Sequence, residues 1–201
     1  MATDDETPFV DRKAELSADV TALMVGQVGR EAAMGDVQRG FRARVLEWGR
    51  SRGFLERDSC LVREMDGVEI TIPIYEVTPE TATVSTRTIR APLGLRLQTE
   101  PHGMMSRLTS RFQRDLVRSE DAAFDARYRT VSSDVSLGAR LLSQACVDAI
   151  QATSTWCRVI YDHGDIAVRV EAERLAGRHL LSAEAVALAF AQADVHATPY
   201  R

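Results

Sequence analysis

The densest polar cluster in the chain is Asp162-His163-Gly164-Asp165, which sets two carboxylates and an imidazole side by side. Those are the groups that proton transfer or metal binding would use. Aspartate and glycine are also the residues of tight turns, and the cluster falls between two runs of β-formers, so it reads as turn chemistry. The histidines, His102, His163, His179 and His196, are scattered, and none has a second ligand at metal spacing on a helix. Cys146 and Cys157 are nucleophile candidates by type. A nucleophile needs a lowered pKa and an oriented base, and the sequence identifies neither. With Cys60 they make an odd set without a CxxC pair, which points away from a disulfide framework and from zinc.

Phosphate loops of the GxGxxG or GxxxxGK[ST] type are absent. Glu64, Asp66 and Glu69 gather at an expected hairpin tip, where carboxylates are ordinarily solvated. No residue is therefore assigned a catalytic, cofactor-binding or metal-binding role, and no cofactor is called for. The balance favours binding over catalysis.

One pattern does suggest a surface chemistry. Over residues 103–118, Met105, Leu108, Phe112 and Leu116 lie along one helical face, while Arg107, Arg111, Arg114 and Arg118 form a stripe on another. A solvated flank explains the stripe; an anion-binding face for a membrane surface, a polynucleotide backbone or an acidic protein segment would use it. Phe112 falls on the apolar face, so no aromatic residue interleaves with the arginines on theirs, and nucleic acid is the least favoured of these partners.

The elements that would position such groups follow from periodicity. Residues 1–11 read as a loose tail, and Gly26 and Gly29 weaken a helix over 12–33. Val37, Phe41, Val45 and Trp48 share one face of a helix that Gly53 ends. Strands are expected over 60–66 and 68–77 around an Asp66-Gly67 turn, with Pro73 placing the second at a sheet edge or in a bulge. Another strand is expected over 81–90, and one more carries Leu93, Leu95 and Leu97. Phe124 to Ser132 alternates as a strand, and Ser133 or Asp134 caps a helix running to about Thr153. A hairpin, Trp156–Tyr161 and Asp165–Glu171, turns at Asp162-His163-Gly164. Gly177 marks a loop, and Ser182 opens a closing helix.

At 201 residues, with 45% apolar and 27% charged residues, the chain can bury a core and shows none of the bias of disordered sequences. Its net charge of -4 gives no global attraction to nucleic acid. Lys13 is the sole lysine, and acidic residues concentrate before residue 37. The first residues lack the basic and apolar regions of a secretion signal, and no apolar run approaches membrane-spanning length, so a cytoplasmic location is expected.

The string Phe124-Asp125-Ala126-Arg127-Tyr128, followed by Val131, Asp134 and Ala139-Arg140-Leu141-Leu142, resembles an uncharacterised bacterial domain with a Gly-Asp-x-x-Phe-Asp-x-x-Phe pattern. The resemblance spans residues 123–195 and implies an aspartate-containing turn, a helix with a Leu-Leu pair, a hairpin and a closing helix. The element order also resembles secretion-chaperone and YbjN-like folds, which implies a small dimeric binding protein.

The expected fold is α+β, an antiparallel sheet with helices packed on one side, as two associated lobes. The expected organisation is an acidic tail and weak helix over 1–34, a helix-and-strand lobe over 35–100, an amphipathic basic joint over 101–122 and a strand-helix-hairpin-helix lobe over 123–195. Phe124, Tyr128, Leu141, Leu142 and Phe190 are expected in the core. The functional reading is a non-enzymatic cytoplasmic protein-binding or assembly module, chaperone-like, whose partner is another protein or a second copy. The alternatives are a small-ligand binder or enzyme with its site in the groove between lobes, and an anion-surface binder acting through Arg107, Arg111, Arg114 and Arg118.

Overall fold

The computed structural model describes Asp5, Pro8, Phe9 and residues 37–87, 95–103 and 115–197, the side chains of 194–197 excepted. Three of the stripe arginines, Arg107, Arg111 and Arg114, lie outside the described residues, as do the weak helix over 12–33 and Leu93.

The fold is α+β, and its sheet is antiparallel throughout. Among the described residues nine strands run in the order β1-β2-β3-β4-β9-β8-β5-β7-β6. They are β1 (Leu55–Arg57), β2 (Cys60–Met65), β3 (Val68–Pro73), β4 (Thr81–Arg87), β5 (Arg96–Pro101), β6 (Leu116–Val117), β7 (Tyr128–Ser132), β8 (Trp156–Asp162) and β9 (Asp165–Glu171). The helices are α1 (37–51), α2 (Ala122–Arg127), α3 (Val135–Leu141), α4 (Gln144–Ala152) and α5 (Gly177–Ala197). Strands of the two expected lobes are direct neighbours: β4 pairs with β9, and β5 lies between β8 and β7. Both edge strands are very short, which limits the unpaired backbone available for edge-to-edge association.

The hairpins follow their turn residues. Asp66 and Gly67 have φ of 52° and 76°, and His163 and Gly164 have 54° and 96°. Positive φ at both central residues is the two-residue geometry whose twist matches the flanking strands. Asp58 and Ser59 make the same kind of turn between β1 and β2 without a glycine, at φ of 51° and 61°.

Alternation then sorts each strand into two faces. Leu61, Ile70, Ile72, Val84, Val168, Val159, Tyr161 and Leu97 are all buried on one face, where the helices pack. Phe41, Val45 and Trp48 of α1 join this core, as do Leu141, Leu142, Val147, Ile150, Val186 and Phe190. Phe124 and Tyr128 are buried and stacked, with ring centroids 5.0 Å apart.

Several expectations are corrected. Phe124 to Arg127 is helical: Asp121 caps α2 by accepting from the Ala123 and Phe124 N–H groups, and only Tyr128 starts the strand. The helix expected up to Thr153 is two helices, because Ser143 caps a new one at Gln144. β3 is an interior strand, and Pro73 is tolerated as its last residue, beyond the Ile70 and Thr71 ladder with β4. Leu116 and Val117, placed at the end of an arginine-rich helix, pair with β7 as β6. The closing helix begins at Gly177 rather than Ser182; Cβ of any larger residue there would lie 2.3 Å from Trp48 Nε1. Phe9, placed in a loose tail, is buried against the Phe41 and Trp48 rings, and its N–H donates to Leu175 O at 3.0 Å.

Candidate functional site

The alternate residues of the strands make the second face of the sheet, and register lines them up. Across β1 to β4 the opposed positions are Leu55, Val62, Thr71 and Ser85. The row continues through Ala167, Ile160, Gln98, Val131 and Leu116 to the other edge. It crosses all nine strands without a charged residue. These positions are half-buried or exposed, and Ile160, near the middle, is 39% exposed.

Charged residues frame this row over β4, β9, β8, β5 and β7. On one side Arg169 pairs with Arg158 across the ladder, and Glu100 takes ion pairs from Arg158 at 3.7 Å and Arg129 at 3.5 Å. Gln98 Nε2 also donates to Glu100 Oε2 at 2.9 Å. On the other side Arg87 meets Asp165 at 3.3 Å and Arg96 meets Asp162 at 3.0 Å. An apolar and small-residue stripe with a polar margin is the ordinary anatomy of a protein-binding surface. The flanking charges compensate one another locally, so the face offers no single-sign field to a polyanion.

Two concavities lie at the end of the sheet where α5 begins. One, of about 570 Å³, is lined by Pro8, Ser154, Thr155, Ala172, Glu173, Arg174, Ala176, Arg178 and His179. The other, of about 380 Å³, is lined by Pro101, Arg127, Tyr128, Thr153, Ser154, Thr155 and Trp156. They share the α4–β8 connection.

The residues singled out by sequence do not meet in either. His163 sits on the exposed β8–β9 turn with Nδ1 2.5 Å from Asp162 Oδ1. That hydrogen bond, with the Arg96 guanidinium, holds the Asp162 carboxyl below its ordinary pKa. Cys157 and Cys146 are buried, and burial pushes their thiols up to about 12 and about 11, the opposite of nucleophile activation. Glu64 and Glu69 face each other across the Asp66-Gly67 hairpin, and Glu69 is bound by Arg57 at 2.8 Å. Arg118 is 61% exposed and 4.0 Å from the Asp125 carboxylate.

Sequence reasoning missed the uncharged row, because it exists only when all nine registers are known.

No family model matches the chain, and no curated protein matches it. The solved structure of the mycobacterial trehalose monomycolate transport factor A, TtfA, is similar in fold. Its TM-score is 0.55 at 9% sequence identity, covering 81% of this chain and 98% of that one. At that identity the likeness concerns architecture alone. No described helix is long and apolar enough to cross a membrane.

Proposed function

We propose that this chain is a non-enzymatic protein-binding or assembly module acting in the cytoplasm, and that it binds a partner protein on the open face of its sheet. The observation that carries this reading is the uncharged row from Leu55 to Leu116, framed by internally paired charges. A nine-stranded sheet gives that face a rigid backbone, so docking orders few side chains and loses little conformational entropy. The margin of alternating charge supplies orientation and selectivity. A polyanion fits the face poorly, because each arginine of the margin has a carboxylate nearby.

The test is a pair of substitutions on the open face, Ile160→Glu and Ala167→Glu, which leave the opposite core untouched. Affinity capture from the native cell, compared between the wild-type chain and the double variant, should show a specific partner lost from the variant while thermal unfolding is unchanged. Sedimentation of both proteins separates a foreign partner from a second copy. Identical partners and identical association state in the two proteins would end this reading.

A further inference from the structure

Asp5, Pro8 and Phe9 belong to none of the nine strands and to no helix, yet they lie against the fold as a bound peptide would. Pro8 makes an isolated antiparallel bridge with Ala176. On either side of it the Phe9 N–H donates to Leu175 O and the Arg178 N–H donates to Asp5 O, both at 3.0 Å. Peptides that add to exposed backbone are held in this way, with main-chain bonds for affinity and side-chain slots for selectivity. Proline suits the bridge, because its fixed φ stiffens the segment and lowers the entropy lost on docking.

Two side-chain slots flank the bridge. Phe9 is 6% exposed and meets the Phe41 and Trp48 rings edge-on, with centroids 6.1 and 6.0 Å away. Asp5 accepts from Trp48 Nε1 at 3.0 Å and from the Arg52 guanidinium, and Arg44 Nη1 donates to Phe9 O at 3.2 Å. One indole thus serves both slots: its ring packs on the aromatic residue and its N–H binds the carboxylate. Gly177 lets the acidic slot close up, since a Cβ there would lie 2.9 Å from Asp5 Oδ1. The host groups come from α1, from the turn after it and from the β9–α5 connection. Residues 10–36 separate the occupant from α1 in sequence, so it reaches the slot through a long connection rather than an adjacent turn. A free segment of the same chemistry has to compete with an effective concentration on the order of millimolar or below.

We propose that the slot between α1 and the start of α5 docks a linear segment of a partner protein, one with an acidic residue three positions before a proline-aromatic pair. Asp5, Pro8 and Phe9 are its built-in competitor. The partner segment takes the same course along Leu175 to Arg178, sets its carboxylate on Trp48 Nε1 and Arg52, and packs its aromatic ring on Phe41 and Trp48. Helices and a connection form this slot, whereas strands form the open face, so neither surface depends on the other.

The probe is a fluorescent peptide, Thr-Asp-Asp-Glu-Thr-Pro-Phe-Val, with the sequence of residues 3–10, titrated into the full chain and into its Asp5→Asn/Phe9→Ala variant. Fluorescence anisotropy should show saturable binding that is about tenfold or more tighter in the variant, whose own competitor is disabled. Asp5→Asn alone, which keeps Phe9 in place, should fall between the two. A peptide carrying Phe9→Ala should bind the double variant about tenfold or more weakly, as loss of a buried aromatic anchor does. In ¹⁵N spectra of the variant, the Trp48 indole N–H should return toward its wild-type position as the unaltered peptide is added. Ile160→Glu, on the open face, should leave peptide binding unchanged. Equal affinity in wild type and double variant, or no saturable binding by the folded variant, would overturn the assignment. A double variant that fails to fold would also overturn it, by making Asp5 and Phe9 part of the core rather than an occupant. A wild-type dimer that Phe9→Ala dissociates would give the slot to a second copy and overturn the partner segment.

Discussion

Removing either partner of the Arg63–Glu184 pair should be far more harmful than removing both. Arg63 projects from β2 into the core side of the sheet and donates to the Glu184 carboxylate on α5, and their side chains are only 20% and 5% exposed. Arg63 also donates to Arg52 O at 2.7 Å and stacks its guanidinium 4.5 Å above the Phe54 ring. Breaking a buried pair costs about 3–5 kcal/mol, because one charge stays desolvated without its counterion. For Glu184→Met the abandoned guanidinium keeps the Arg52 carbonyl and the Phe54 ring, so the expected loss is smaller, about 2–3 kcal/mol. For Arg63→Met the deeper carboxylate is stranded, and the full 3–5 kcal/mol is expected, to be set against a total stability of about 5–15 kcal/mol. The Arg63→Met/Glu184→Met double variant buries no charge and should lie within about 1 kcal/mol of wild type. Urea unfolding followed by circular dichroism gives all four stabilities and the coupling energy. Additive losses in the double variant would refute the electrostatic account and leave lost packing as the cause.

Gly177→Ala should destabilise by about 1–3 kcal/mol through overpacking, because its Cβ would lie 2.3 Å from Trp48 Nε1 and 2.9 Å from Asp5 Oδ1; a variant as stable as wild type in the same urea assay would contradict this. Asp5 titrates below the ordinary carboxyl range: burial raises its pKa, but hydrogen bonds from Trp48 and Arg52 and the Arg52 charge outweigh it. Its stabilising contribution is then present above the unfolded carboxyl pKa and lost as pH falls through the folded one, so Asp5→Asn should flatten the melting curve against pH below about pH 4. His179, lowered in the fold, should contribute a separate loss of stability as pH falls below about 6.5, where the unfolded chain takes the proton more readily. A wild-type melting temperature constant between pH 7 and pH 5 would refute that. Cys146 and Cys157 should resist a thiol reagent in the native chain while half-exposed Cys60 reacts, and all three should react after denaturation; rapid native labelling of all three would contradict the burial described here.

The parts of this fold legible in sequence are those governed by neighbours along the chain. Asp66-Gly67 and His163-Gly164 announce their turns because glycine supplies positive φ, whereas Asp58-Ser59 adopts the same geometry without that marker and β1 passed unnoticed. The α1 stripe from Val37 to Trp48 follows directly from helical period. Phe124 and Tyr128 satisfy two periods at once, four residues being both one helical turn and two strand alternations. The Asp121 cap, whose side chain also accepts from Gln151 Nε2, decides for a helix. Gly177 reads locally as a loop residue, and only the Trp48 indole packed against it explains why a helix begins there. The open-face row was beyond local reading for the same reason: pairings such as Ser85 with Ala167 and Gln98 with Ile160 join residues that are far apart in sequence.

The place of the β8–β9 hairpin has a consequence for the order in which the chain can assemble. It occupies the middle of the sheet, with β4 on one flank and β5 on the other, yet it follows β1 to β7 in sequence. Until it forms, β1 to β4 end at β4 and β5 to β7 end at β5, each with an unsatisfied ladder that invites pairing with another chain. A ribosome-bound chain remains in that state until residue 171 has emerged. Truncation before Trp156 would make it permanent, leaving two sheet fragments joined by backbone alone. Such a product should aggregate rather than persist as a smaller version of the protein.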